Sequence, residues 1–198
     1  WLSAYPLTLP KGKGMRLGIG AVLLMLVALP AINLLSYWNQ QMSLPAFLEP
    51  LEQWMKTSEE SAKVLTEQFM HTTTFGGLII NMLLMAVLPA IGEELTFRGV
   101  LQRLLTPRIT TSSPYRQTPH IAIWCSALLF SAIHLQFYGF VPRMLMGALF
   151  GYMLVWTGSL WVPMLMHFVN NAMAVLVYFM VNRASWDMDK VDAIGTSN

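Results

Sequence analysis

The chain has 198 residues, of which 55% are hydrophobic and only 11% are charged, whereas a soluble domain usually carries about 25% charged residues. This composition excludes an ordinary soluble domain and indicates a protein of the lipid bilayer. The formal net charge of +2 comes from scattered basic residues, so we expect no nucleic acid partner. Cys125 is the only cysteine, which excludes an intramolecular disulfide.

Long apolar runs predict an all-α protein, a polytopic membrane helix bundle of at least five transmembrane helices that forms a single domain over residues 1–198. A helix that crosses a bilayer needs about 20 apolar residues, so this length holds about five spans with short loops. In chain order, the predicted spans cover residues 15–37, 73–105, 120–137, 140–157 and 160–182. Residues 45–70 are more polar, with apolar residues at partly helical spacing, and predict an amphipathic surface helix.

The second predicted span is long for a simple crossing. Pro89 lies inside it and lacks the backbone N–H that a helix needs, so we expect a kink or a break at that point. Residues 106–119, rich in Pro, Ser and Thr, predict a loop, and the residues after 183 predict a polar tail.

The basic residues predict the orientation of the chain. They precede the first span and follow the second, and the positive-inside rule then places the N-terminus inside and the C-terminus outside. The short loops and compact bundle are typical of a bacterial protein, so we expect the cytoplasmic (inner) membrane. The charged residues on which this prediction depends are Lys11, Lys13, Arg16, Arg103, Arg108 and Arg116, with Asp187, Asp189 and Asp192 on the outer side.

Ionisable side chains inside apolar helices cost about 2.5 to 3.5 kcal/mol each on insertion scales, so a cluster of them is by default a functional hypothesis. The first cluster is Glu93-Glu94-x-x-x-Arg98. Glu94 and Arg98 are four residues apart on one helical face and can pair, while Glu93 points about 100° away and is free for another role. Taken alone, the set is equally typical of a structural ion pair at a helix end.

Two further polar sets follow in the next apolar segments. Phe130-x-x-x-His134 brings an imidazole into an apolar run, and Phe130, one turn earlier, can fix its rotamer. His167-x-x-x-Asn171 offers two polar groups from one face, which can hold a carbonyl oxygen as negative charge develops on it. Singly, each has a structural explanation: a histidine bound to a backbone carbonyl, and an asparagine that joins helices.

In this order, the three motifs resemble those of the CAAX-protease and bacteriocin-processing family of intramembrane proteases, over roughly residues 73–181. The resemblance implies that Glu93 and His134 activate a water that attacks the scissile amide. It also implies that His167 and Asn171 stabilise the oxyanion. It gives Glu94 and Arg98 a supporting role, which we also expect of Phe130.

The resemblance leaves the cofactor and the substrate open. Glu93, His134 and His167 would suit a zinc site with an open position for water. The sequence has no His-Glu-x-x-His helix, however, and the better-understood family members resemble glutamate-dependent proteases, so we favour no cofactor and keep zinc as the alternative. The expected partners are the bilayer and a membrane-associated peptide or protein substrate, which need not be prenylated.

Two other functions fit the same residues. Buried Glu, His and Arg are also normal in a small transporter or proton relay, although we find no internal repeat of the kind that many carriers show. A non-proteolytic family member that regulates a partner membrane protein is the other alternative, and the intact motifs count against it.

Overall fold

The computed structural model describes residues 14–106 and 119–184, and every regular element within these two ranges is helical. Short 3-10 turns over Ala46–Leu48 and Phe137–Gly139 precede the second and fifth helices. The helices are α1 (Gly14–Gln40), α2 (Glu49–Met70), α3 (Phe75–Leu105), α4 (His120–Ala132), α5 (Phe140–Thr157) and α6 (Trp161–Ala184). The predicted all-α class is confirmed.

Four of these helices are long and apolar enough to cross a membrane: α1, α3, α5 with its preceding turn, and α6. The apolar helix α4 has 13 residues, which corresponds to about 20 Å at 1.5 Å per residue, against a hydrocarbon core of about 30 Å. The described chain is therefore a polytopic bundle of four candidate spans and one shorter apolar helix.

Helix α4 ends at Ala132, five residues before the predicted end of its apolar segment at 137. The backbone N–H groups of His134 and Leu135 bond three residues back, to Ser131 and Ala132, and Leu135 has a positive φ of 53°. A residue with left-handed backbone dihedral angles cannot continue a right-handed α-helix. Hydropathy did not reveal this turn because the apolar run continues through it.

Helix α3 contains Pro89 without a break. A π-helical segment, Met82–Val87, lies directly before the α-helical turns Leu88–Glu94, and a second π-helical segment covers Leu95–Leu101. The interruption expected at Pro89 thus takes the form of a local widening of the helix. Such π-turns are rare and often lie at functional sites.

Helix α2 is attached to the turn that precedes α5. The side chain of Glu59 accepts a hydrogen bond of 2.9 Å from the backbone N–H of Tyr138, and Glu52 accepts one of 3.4 Å from the Tyr138 hydroxyl. A hydrogen bond from Lys56 lowers the pKa of Glu52, which keeps this carboxylate ionised. Trp54 also contacts Phe137, with ring centroids 5.5 Å apart. The amphipathic helix α2 therefore fixes the position of the turn that leads into α5.

The centre of the bundle is formed by α5 and α6. In the most apolar 18-residue stretch of each helix, 33% of the residues of α5 and 39% of those of α6 are buried, against 11% in α1 and in α3. The apolar side chains on the outer faces of α1 and α3 are free to contact lipid.

Small residues let α4 approach α5 closely. A Cβ added at Gly151 would lie 2.9 Å from Ile123 Cγ2 and 2.8 Å from Gln102 Oε1. Such close contacts are typical of small-xxx-small packing of membrane helices.

Several sequence predictions fall outside the described residues. Residues 107–118, which make up nearly all of the predicted loop, and the polar tail from 185 onward are among them. The predicted orientation also depends largely on such residues, and it stays a prediction. The charged residues concerned are Lys11, Lys13, Arg108, Arg116, Asp187, Asp189 and Asp192.

We predict that Gly151→Ala destabilises the bundle by about 1 to 3 kcal/mol, because overpacking at a close helix contact forces the neighbouring side chains to shift. Thermal unfolding of the purified protein in detergent measures this effect. Gly20→Ala is the matched control, since a Cβ at Gly20 meets nothing within 4 Å. Equal midpoints for the two variants would contradict the close contact between α4 and α5.

Candidate active site

A fully buried ion pair lies at the base of the site. Arg98 Nη1 donates a hydrogen bond of 2.8 Å to Glu94 Oε1, and both side chains are at most 1% exposed. Arg98 Nη2 donates to the backbone carbonyl of Gly147 at 2.8 Å, and the guanidinium lies 4.6 Å from the centre of the Phe130 ring. The i, i+4 pairing predicted for Glu94 and Arg98 is therefore present, and the pair joins α3 to α5.

His167 is the second partner of Glu94. Its Nδ1 lies 2.9 Å from Glu94 Oε1, although the two residues are 73 positions apart in the sequence. The imidazole stacks on Phe150 at 5.4 Å and meets the edge of Phe130 at 6.0 Å. One carboxylate oxygen thus receives both Arg98 and His167, and the ring of His167 is fixed between α3, α4 and α5.

Glu93 occupies a different environment from its neighbour. Its side chain is 30% exposed, whereas that of Glu94 is 0% exposed. Its Oε2 lies 3.8 Å from Nε2 of His167. The sequence expectation that Glu93 is free for another role agrees with this placement, because Glu93 faces open space while Glu94 is committed to the ion pair.

His134 lies in the turn after α4 rather than inside a helix. Its Nδ1 lies 2.7 Å from the backbone carbonyl of Phe130, and since a carbonyl only accepts, Nδ1 carries the proton. The Phe130 and His134 rings also meet edge to face at 5.1 Å, as expected of a residue that orients the imidazole. When His134 is neutral, Nε2 is therefore left as a hydrogen-bond acceptor.

A single cavity of about 370 Å³ brings the four candidate residues together. Glu93, His134, His167 and Asn171 all line it, although they come from α3, the turn after α4, and α6. The Oδ1 atom of Asn171 accepts a hydrogen bond from Asn170 at 3.1 Å, which leaves the amide N–H groups of Asn171 available as donors. The site therefore combines a carboxylate, an acceptor nitrogen and amide donors.

The sequence interpretation missed two contributors to this site. Arg143 of α5 also lines the cavity, and its position in an apolar run is itself a signal of function. Gly147 binds Arg98 through its carbonyl, and a Cβ there would lie 3.0 Å from Arg98 Nη2. The spacing Gly147-x-x-x-Gly151 could have indicated this helix contact.

The zinc alternative requires Glu93, His134 and His167 to share one metal position. Among the residues that the structure describes, no group of three or more His, Cys, Asp or Glu side chains is placed to hold a metal ion. His167 Nδ1 and His134 Nδ1 are bound to Glu94 and to a backbone carbonyl, a pattern that is also usual for histidines that bind a metal through Nε2. As they are placed in the described residues, the three side chains do not share one metal position.

Comparisons with known proteins identify the family. A family model described as "Type II CAAX prenyl endopeptidase Rce1-like" matches residues 75–173, which is half of the chain and includes every candidate site residue. A protein of Bacillus subtilis (strain 168), named "Uncharacterized protein YpbD", is 33% identical over 98 residues, which are 48% of this chain and 43% of that protein. The match thus spans less than half of the relative's length.

No solved structure matches the chain. The family match, however, agrees with the apolar helices and with the three motifs around one cavity. This chain belongs to the Rce1-like family of CAAX-type intramembrane proteases and is an integral membrane protein.

Proposed function

We propose that this protein is an intramembrane endopeptidase that hydrolyses a peptide bond in a membrane-associated protein or peptide. The observation that carries the proposal is the convergence of Glu93, His134, His167 and Asn171 on one cavity. A partly exposed carboxylate beside a fixed imidazole suits activation of water, and adjacent amide donors suit an oxyanion. The family membership of the chain supports the same reaction class.

The proposed reaction starts with a water held between Glu93 and His134. Nε2 of His134 accepts a hydrogen bond from the water, whose oxygen keeps that hydrogen, and Glu93 removes the other proton as the oxygen attacks the carbonyl carbon. The carbonyl oxygen becomes an oxyanion, to which Asn171 and Nε2 of His167 donate hydrogen bonds. When the C–N bond breaks, Glu93 returns its proton to the leaving nitrogen, and the products are a carboxylic acid and an amine.

The proposed steps keep the total charge of the site constant. In the proposal His167 is protonated on both ring nitrogens, so that Nδ1 donates to Glu94 and Nε2 faces Glu93. Two carboxylates, Glu93 and Glu94, then balance two cations, Arg98 and His167. Proton transfer to Glu93 moves one negative charge onto the oxyanion without changing the total. This matters because an unbalanced charge in a low-dielectric site is costly.

We predict that Glu93→Gln abolishes cleavage and leaves the protein folded, because the shape of the side chain is kept and its basicity is lost. The assay uses purified protein in proteoliposomes with a panel of lipid-anchored peptides, prenylated and unprenylated, and detects products by mass spectrometry. Glu60→Gln, an exposed carboxylate of α2, is the matched control. A fully active Glu93→Gln variant would refute the mechanism, and a folded wild-type protein that cleaves none of the peptides would favour a non-proteolytic role.

For the neighbouring Glu94→Gln we expect a loss of stability of about 3 to 5 kcal/mol, because it leaves the buried Arg98 without its carboxylate. Thermal unfolding in detergent measures this loss. In the double variant Glu94→Gln/Arg98→Met part of the stability should return, since the unpaired charge is removed. A Glu94→Gln variant as stable as Glu93→Gln would contradict the structural role of the pair.

We predict a partial loss of activity for Asn171→Ala, about 100-fold to 1,000-fold in kcat, as is typical when one oxyanion donor is removed. KM should change little, since the donor acts mainly in the transition state. The matched control is Asn182→Ala, because Asn182 lies on the same helix but bonds to the backbone of Met70. Unchanged turnover in Asn171→Ala would remove this residue from the site.

A further inference from the structure

Arg143 is a cation of the cavity that the proposed reaction does not use. It lies in the first turn of α5, is partly buried, and lines the same cavity as Glu93 and Asn171. A charged side chain in a membrane-spanning segment costs free energy, so it usually has a partner and often marks a functional site. The identity of that partner is therefore the question that Arg143 raises.

Within residues 14–106 and 119–184, no carboxylate neutralises Arg143 by direct contact. Arg143 donates hydrogen bonds to the neutral Gln136: Nη1 donates to the backbone carbonyl at 3.4 Å, and Nη2 donates to the side-chain Oε1. The charges of Glu59 and Glu93 act on Arg143 through space. Neither carboxylate forms an ion pair with it among the described residues. Arg98, by contrast, binds Glu94 directly.

Gln136 and Gly139 hold the guanidinium in place. A guanidinium has five N–H donors, and the two bonds to Gln136 leave three for another partner. A Cβ added at Gly139 would lie 3.2 Å from Arg143 Nη2, so the glycine makes room for this group. Gly139 also lines the cavity. Arg143 is thus a positioned cation with donors to spare.

The size of the cavity limits what can reach Arg143. One extended residue occupies about 160 Å³, from a rise of about 3.3 Å, a strand spacing of about 4.8 Å and a sheet spacing of about 10 Å. A cavity of about 370 Å³ therefore has room for a short peptide segment. A peptide that ends in this cavity brings one carboxylate to it, because every free C-terminal end carries one.

We propose that Arg143 is a specificity-determining residue that binds the terminal carboxylate of a peptide substrate in this cavity. This proposal rests on the proposed protease function, because the bound peptide is a substrate only if the protein cleaves it. Binding of the peptide can nevertheless be measured without cleavage. A planar guanidinium matches a carboxylate through two parallel hydrogen bonds, which a lysine cannot reproduce. Arg143 would then select substrates by their free C-terminus rather than by a side chain.

The experiment compares two lipid-anchored, fluorescent peptides of the same neutral sequence, one with a free C-terminal carboxylate and one with a C-terminal amide. Binding is measured in nanodiscs of zwitterionic phosphatidylcholine, with the full chain carrying Glu93→Gln so that no peptide is consumed. In this background we compare Arg143→Gln, Arg143→Lys and Gly139→Ala. Arg183→Gln is the matched control, because Arg183 lies at the end of α6 over the Phe75 ring and does not line the cavity.

We expect the acid to bind about 10-fold to 100-fold more tightly than the amide, as is typical of a hydrogen bond to a charged group. Arg143→Gln should remove this difference by weakening only the acid. Arg143→Lys should restore part of it, and Gly139→Ala should reduce it while the charge remains. Arg183→Gln should leave it unchanged.

Equal binding of acid and amide, or no binding of either, would overturn the proposal, and so would an Arg143→Gln variant that still discriminates. Loss of binding of both peptides in folded Arg143→Gln would also overturn it, since the arginine would then act on the cavity as a whole. Cleavage of the same peptides by the protein with Glu93 restored is a separate readout. Discrimination without cleavage would support the carboxylate site and contradict the protease function.

Discussion

The ion pair between Arg98 and Glu94 is the interaction on which the rest of this bundle depends. Removing two charges from water is costly, and the cost is offset only when geometry and further hydrogen bonds are favourable. Here the carbonyl of Gly147 and the imidazole of His167 supply those further contacts. The pair therefore requires α3, α5 and α6 to meet at one point, and this requirement places the site in the interior.

The same pair separates two adjacent glutamates into different roles. Glu94 has one oxygen bound to both Arg98 and His167, while Glu93, one position earlier on the helix, turns to the cavity and remains partly exposed. A helix rotates by about 100° per residue, so two consecutive carboxylates cannot share one environment. One supports the structure, and the other faces the cavity.

Local spacing in the sequence was enough to predict the membrane class, the pairing of Glu94 with Arg98 and the orientation of His134 by Phe130. It could not predict contacts between segments far apart in the chain, such as Glu94 with His167, because hydrophobic periodicity describes local structure and carries no information on tertiary packing. It also missed the end of α4 at Ala132, where an apolar run hides a left-handed Leu135. Arg143 was visible as a charge in an apolar segment, but only the cavity shows what it faces.

The charges of the cavity connect the two proposals. In the proposed state, Glu93 and Glu94 balance Arg98 and His167, which leaves Arg143 as one positive charge with no contacting carboxylate among the described residues. A peptide end that brings its terminal carboxylate to Arg143 would complete the balance, whereas an amide end would leave the cation unmatched. Recognition and catalysis would then follow from one electrostatic constraint, the cost of an unpaired charge inside a membrane protein.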